Sequence, residues 1–161
     1  MNEQRLHDGE LGPVSTGLAA VLFDACPHLR DFAKMTTGCE GTGQSLLIEV
    51  PSPTGDPNRT LVIWTDEAAT PSIEFGPSHT HESADIGGYN AILKLAEKIF
   101  SEELVIAVEL GGPIKHAFWL DLSTPDSLAD ELTSPYSSGR LMIKSWAGGR
   151  DRHADLNDII L

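Results

Sequence analysis

The order of the periodic segments constrains the fold of this chain more than any other feature. Three short segments, in which apolar side chains alternate with others, follow one another at residues 46–50, 61–66 and 72–75. A period of two is typical of β-strands. Two further alternating segments, at 104–110 and 114–122, follow a long amphipathic segment. Because strands in runs with short connections pair in an antiparallel manner, this order favours an antiparallel sheet.

Helical periodicity appears on both sides of the first run of strands. An N-terminal helix is predicted over about residues 15–34, with Ser15 or Thr16 as its cap and a break at Pro27, which cannot continue a helix. The clearest helix is predicted from about Ser83 to Glu102, with Ser83 as its cap. Glu102 and its neighbour are interpreted as a solvated helix end. A short helix is predicted at 125–132 and a last strand at 141–146.

These elements predict an α+β fold, in which an antiparallel β-sheet has its helices packed mainly on one face. The length of 161 residues fits a single domain. We therefore expect one α+β domain over 1–161, with strands and the central helix at about 45–147 and a polar C-terminal segment at 151–161.

The balance of acidic and basic residues limits the classes of molecule that the chain is expected to bind. The chain has 24 acidic and 11 basic residues, a formal net charge of −13, which argues against nucleic acid because affinity for phosphates comes mostly from Lys and Arg. No apolar run approaches the roughly 20 residues of a membrane span, so no membrane association is predicted. The polar first residues lack the apolar core of a signal peptide, and a cytoplasmic location is expected.

The sequence His79-Thr80-His81 is the most unusual local feature. Residues two apart on an extended chain point the same way, so both imidazoles can meet one ion or one partner. With Asp85 they form a ligand set that suits zinc or iron and leaves a position open for water. The alternative is that both histidines lie in a polar loop, where they make hydrogen bonds or contact another protein.

A second feature is the stretch from residue 144 to 151, where Trp146 precedes two glycines and Arg150. Such a tryptophan is either an exposed anchor for binding or part of the rim of the core. The same two interpretations apply to Trp64. The candidate contact surface combines residues of both features: His79, His81, Glu82, Trp64, Trp146, Arg150 and Asp151.

Several of these motifs resemble one family. A strand ending in Phe75-Gly76, then His79-x-His81, a helix, and later Ser145-Trp146-x-Gly148 before Asp151 are similar to small acidic bacterial proteins of the immunity-protein type. Such proteins are found beside polymorphic toxins. The resemblance implies a toxin–antitoxin partnership in the cytoplasm, in which the chain neutralises a toxin by binding and without catalysis.

Three hypotheses follow. The first is a non-catalytic module that needs no cofactor and binds a basic protein, such as a toxin domain, because a net negative field speeds the capture of a cation-rich partner. The second is a metal-dependent hydrolase built on His79, His81 and a carboxylate, Asp85 or Glu74. The third is a structural homo-oligomer that associates through a tryptophan-bearing sheet face. No phosphate-binding loop or serine nucleophile elbow is present, and the first hypothesis is favoured.

Overall fold

The computed structural model describes residues 11–37, 44–66, 70–111, 117–124 and 140–155. Within them, two antiparallel sheets and two α-helices form an α+β fold, as predicted. In chain order the elements are α1 (Pro13–Ala25), a 3-10 helix (Pro27–Phe32), β1 (Ala33–Thr37), β2 (Gln44–Val50), a 3-10 turn (Pro57–Arg59), β3 (Leu61–Thr65), β4 (Pro71–Phe75), β5 (Ser78–His81), α2 (Ile86–Phe100), β6 (Leu104–Glu109), β7 (Ala117–Asp121), β8 (Arg140–Lys144) and β9 (Arg152–Asp155).

The first helix is shorter than predicted and begins earlier. It starts at Pro13, whose fixed φ suits a first helical position, and no side chain caps it. Ser15 is not the cap, because its hydroxyl is buried and lies 2.5 Å from the Thr65 hydroxyl, on the sheet below. After the 3-10 helix, residues 33–37 pair with β2 instead of continuing a helix, which corrects the predicted range of 15–34.

The first sheet has the strand order β1-β2-β3-β4-β5, with every pair antiparallel. Its inner face carries the fully buried side chains of Leu46, Ile48, Leu61, Ile63, Ile73 and Phe75. Both α-helices place their buried side chains in the same core cluster, among them Leu18, Leu22, Ile92, Ala96 and Ile99. α1 and α2 thus cover one face of this sheet, and neither of these two described helices packs on the other face.

The second helix is capped by Asp85 and not by Ser83. The Asp85 carboxylate accepts a hydrogen bond of 2.9 Å from the Gly88 amide, so it satisfies one of the free N–H groups at the helix start. Gly88 is required there, because a Cβ atom on it would lie 1.9 Å from the Ser83 carbonyl oxygen. The chain between β5 and α2 is consequently held close to the helix.

The single predicted sheet is in fact two. The second sheet has the order β7-β6-β8-β9, again antiparallel throughout. Its strand β6 is buried on both faces: Leu104 and Ile106 join the main core, and Val105 and Ala107 join a second cluster. Two-sided burial explains why the sequence of β6 is almost continuously apolar. The antiparallel pairing of β6 with β7 is confirmed.

The C-terminal part differs from the sequence prediction. The last predicted strand ends at Lys144, and a further strand, β9, occupies part of the segment expected to be polar and irregular. The predicted helix at 125–132 lies outside the described residues. Within the part of the chain that the structure describes, no helix has both the length and the apolar character needed to cross a bilayer.

The two sheets meet at Phe75 and Gly76. The indole N–H of Trp119 on β7 donates a hydrogen bond of 2.9 Å to the Phe75 carbonyl. Gly76 has a φ of 64°, and a Cβ atom on it would lie 2.3 Å from the end of the Ile106 side chain. Glycine is needed at this point both for its backbone conformation and for the close approach of β6.

Candidate functional site

The outer face of the first sheet gathers a group of side chains around Trp64. The register pairs Trp64 with Ser72 and pairs Ser72 with His81, so these three side chains share a face. Glu74 pairs with His79 on the same face. We call this surface the Trp64 face, defined by Lys34, Leu47, Glu49, Val62, Trp64, Ser72, Glu74, His79 and His81.

Three rings cluster on the Trp64 face, toward its β5 edge. The Trp64 indole lies 6.5 Å from the His79 ring and 6.3 Å from the His81 ring, and the two imidazoles are 5.1 Å apart in an edge-to-face arrangement. The Ser72 hydroxyl lies 2.6 Å from Nδ1 of His81 and orients that ring. The segment that carries the histidines is therefore an extended edge strand and not a loop, and both imidazoles point outward.

The Trp64 face is apolar at its centre and acidic toward its edge. Leu47, Val62 and Trp64 are half-buried, and none of them belongs to either core cluster. Oε2 of Glu49 lies 3.5 Å from Nζ of Lys34, and the side chains of Glu74 and Glu82 carry further negative charge. An apolar centre with a polar rim is typical of surfaces that bind other proteins.

Asp85 does not join the histidine pair. Its carboxylate is directed at the start of α2, where hydrogen bonds from the Gly88 amide and the Ser83 side chain hold its pKa below the ordinary value. Across the described ranges, no group of three or more His, Cys, Asp or Glu side chains gathers as a metal-binding set. The triad of His79, His81 and Asp85 is thus not assembled.

The other half of the predicted contact surface lies in the loop at residues 145–151, which the structure holds by internal bonds. Oε1 of Glu102 accepts hydrogen bonds from the Ser145 hydroxyl at 2.7 Å, the Ala147 amide at 3.0 Å and the Gly149 amide at 2.9 Å. Glu102 is therefore not a solvated helix end. One carboxylate oxygen fixes the whole turn.

Arg59, at the end of the 3-10 turn before β3, fixes the same loop from the other side. Its side chain is 9% exposed and donates to Asp151 at 2.9 Å and to the Ser145 carbonyl at 2.9 Å. A second guanidinium nitrogen lies 2.7 Å from Asp151, and Nε donates to Asp56 at 3.2 Å. This ion pair joins the Asp56 turn before β3 to the chain between β8 and β9.

Trp146 belongs to the core rim. Its ring packs 4.9 Å from the Phe100 ring, against the main core cluster, and its carbonyl accepts a bond of 2.5 Å from the Ser52 hydroxyl. Arg150 is exposed, and its amide donates to the Ser145 hydroxyl. The seven residues predicted as one contact surface therefore divide into two places, with Trp64, His79, His81 and Glu82 in and beside the Trp64 face.

Sequence reasoning missed Arg59 and Glu102 because their partners are far away along the chain. Asp151 is 92 residues from Arg59, and Ser145 is 43 residues from Glu102. A single sequence carries no local pattern that links residues at such separations. The Asp56-Pro57-Asn58-Arg59 turn was the one available signal, since Asp56 accepts from the Asn58 amide at 3.0 Å in a typical aspartate turn.

The two carboxylates of this loop make the stability depend on pH. Burial alone raises the pKa of Asp151, but hydrogen bonds from Arg59 and the Ser145 amide outweigh it, so the pKa is lowered. Burial likewise opposes the Ser145, Gly149 and Ala147 bonds to Glu102, whose pKa is also lowered. Stabilisation by a carboxylate with a lowered pKa is complete above its ordinary pKa, about 4, and is lost as the pH falls through the lower value in the folded state.

We therefore expect the urea midpoint of unfolding to be level from about pH 7 to about pH 5 and to fall steeply below about pH 4. Denaturation followed by circular dichroism at each pH measures this. Glu102→Gln removes one of the titrating groups, so its curve is expected to be shallower than that of the wild type. A variant curve parallel to that of the wild type would show that Glu102 contributes nothing to the acid sensitivity.

Comparisons with protein-family models, with curated proteins and with solved structures found no match to this chain.

Proposed function

We propose that this chain is a non-catalytic binding module that captures a basic protein through the Trp64 face. The observation that carries the proposal is the cluster of Trp64, His79 and His81 on a sheet face that neither α-helix covers. Tryptophan is enriched among the residues that dominate binding energy, because it offers a large rigid surface. The two imidazoles beside it add polar contacts at the edge of the same surface.

The electrostatic balance supports a basic partner. The whole chain has a net charge of −13, and the Trp64 face and its edge carry Glu49, Glu74 and Glu82 against Lys34. A field of this sign raises the rate at which a positively charged protein is captured and disfavours acidic competitors. A toxin domain rich in Lys and Arg, held inactive by the bound chain in the cytoplasm, fits the proposal.

A titration tests this function. Purified chain is titrated against a panel of basic toxin domains by calorimetry, at about 50 mM and about 300 mM NaCl. Binding is expected to weaken at the higher salt concentration, because exposed charges are screened. Trp64→Ala is expected to weaken binding by at least about tenfold, as for a central tryptophan in an interface, and Glu74→Lys is expected to weaken it without removing apolar area.

The matched control is His28→Ala, which removes an exposed ring outside the Trp64 face and is expected to leave the affinity within about twofold. Melting temperatures of all variants show whether a loss of binding reflects unfolding. An affinity that stays the same in Trp64→Ala, in Glu74→Lys and at the higher salt concentration would refute the proposal. So would a wild-type homodimer in sedimentation that Trp64→Ala converts to a monomer, because the Trp64 face would then be a self-association surface.

A further inference from the structure

The two histidines of β5 have the placement of a chelating pair. His79 and His81 are exposed, while Ser78 and Thr80 are more buried, so the strand presents both rings on one side. Among the strands that the structure describes, β5 is at the edge of the sheet and pairs only with β4. The two rings are therefore accessible together from solvent.

The separation of the rings matches a shared ion. Two imidazoles on one tetrahedral zinc ion, with Zn–N bonds of about 2.0–2.1 Å, have ring centres about 5 Å apart. The ring centres of His79 and His81 are 5.1 Å apart, with an angle of 76° between the ring planes. The spacing of the two ring centres is therefore the one that two ligands of a shared zinc ion need.

A buried hydroxyl contacts one ring nitrogen of His81. Ser72 is fully buried, and its hydroxyl lies 3.2 Å from the Thr70 carbonyl and 2.6 Å from Nδ1 of His81. When the hydroxyl hydrogen points to the Thr70 carbonyl, the hydroxyl oxygen is the acceptor for His81. In that arrangement Nδ1 of His81 carries the hydrogen and donates to Ser72, so Nε2 keeps a free lone pair. Histidines that bind metals typically donate their other ring N–H in this way.

From these observations we propose a transition-metal site on the Trp64 face, with His79 and His81 as the ligands and Ser72 as a positioning residue. Imidazole suits Zn²⁺, Cu²⁺ and Ni²⁺ rather than Mg²⁺ or Ca²⁺, which prefer oxygen ligands. Two protein ligands leave the remaining coordination positions to water. The negative charge of Glu74 and Glu82 and of the whole chain favours a cation at this place.

The inference goes beyond the proposed function and does not depend on it, because the protein and the ion alone suffice for the test. Calorimetric titration of the full chain with Zn²⁺ is expected to give one equivalent of binding. His79→Ala and His81→Ala are each expected to weaken the affinity at least tenfold. His28→Ala and His153→Ala, which remove exposed histidines elsewhere, serve as matched controls and are expected to leave it unchanged.

Cu²⁺ supplies a second measurement that reports the position of the ion. Copper quenches indole fluorescence at short range, and the Trp64 ring is 6.5 Å and 6.3 Å from the two imidazoles. Saturating Cu²⁺ is therefore expected to quench part of the wild-type emission, and Trp64→Phe is expected to abolish most of that quenching while binding remains. His79→Ala and His81→Ala are expected to lose this quenching at the same copper concentration, because each removes one of the two ligands.

The role of Ser72 has its own spectroscopic signature. Ring-nitrogen NMR of the metal-free protein is expected to show the Nδ1–H tautomer for His81. Ser72→Ala is expected to shift His81 toward the other tautomer and to weaken Zn²⁺ binding about tenfold, measured under conditions in which the variant remains folded. Zinc affinity that is equal in the wild type and in the His79→Ala/His81→Ala double variant would overturn the site, as would the absence of saturable binding. These results would leave the proposed capture of a basic protein untouched.

Discussion

Arg59→Met is expected to lower the free energy of unfolding by about 3 kcal/mol, near the lower end of the range for breaking a buried ion pair. Methionine keeps most of the side-chain volume, so the loss comes from the bonds and not from a cavity. Asp56, Asp151 and the Ser145 carbonyl each lose a donor. Because the Asp151 side chain is 37% exposed, water compensates in part, which keeps the expected loss from being larger.

Urea denaturation and thermal melting measure this effect, and the melting temperature is expected to fall by roughly 6–12 °C. The matched control is Arg150→Met, which removes an exposed arginine from the same loop and is expected to change stability by less than about 0.5 kcal/mol. Equal effects of the two substitutions would contradict the role assigned to Arg59. Asp151→Asn should recover part of the loss in the Arg59→Met background, because it removes the unpaired charge.

Glu102→Ala is expected to lower the free energy of unfolding by about 1–2 kcal/mol, because one change removes the acceptor shared by the Ser145 hydroxyl and the Ala147 and Gly149 amides, and water replaces it only at the two exposed amides. The backbone of Glu102 adds a second effect. Its φ is 58°, in the left-handed region that glycine adopts without strain. Glu102→Gly therefore loses the same acceptor but relieves the backbone, and is expected to be about 1 kcal/mol more stable than Glu102→Ala.

Glu102→Gln completes the series at neutral pH. Its amide oxygen accepts the same three bonds without the charge, so its loss is expected to be the smallest of the three substitutions. Chemical denaturation at pH 7 ranks the variants, with the expected order of stability being wild type, Gln, Gly and Ala. If Glu102→Gly proved less stable than Glu102→Ala, backbone strain at residue 102 would not contribute to the difference between the two variants. If Glu102→Gln were as unstable as Glu102→Ala, the negative charge of Glu102, and not the geometry of its acceptor oxygen, would hold the loop.

Neither Arg59 nor Glu102 belongs to the Trp64 face. Their expected effects are therefore on the stability of the fold, whereas Trp64, His79 and His81 are expected to control binding. Under conditions in which the Arg59 and Glu102 variants remain folded, their affinity for Zn²⁺ is expected to equal that of the wild type. The two sets of variants thus distinguish residues that stabilise the fold from residues of the Trp64 face that bind a ligand.

The sequence by itself determined the elements whose signals are local. Alternation over 46–50, 61–66 and 72–75 predicted β2, β3 and β4, because the inner positions pack against helices and the outer positions do not. The long apolar stripe predicted α2, and the spacing of His79 and His81 placed both rings on one side of the chain. Each of these conclusions depends on a repeat within a few residues.

The tertiary structure decided everything that depends on contacts between distant residues. β1 and β5 carry weak patterns, since edge strands have a neighbour on one side only and favour polar side chains, and their pairing alone makes them strands. The division into two sheets follows from β6 being buried on both faces. Folding brings together Arg59 with Asp151, Glu102 with Ser145, and Trp64 with the two histidines, across sequence separations that no local period spans.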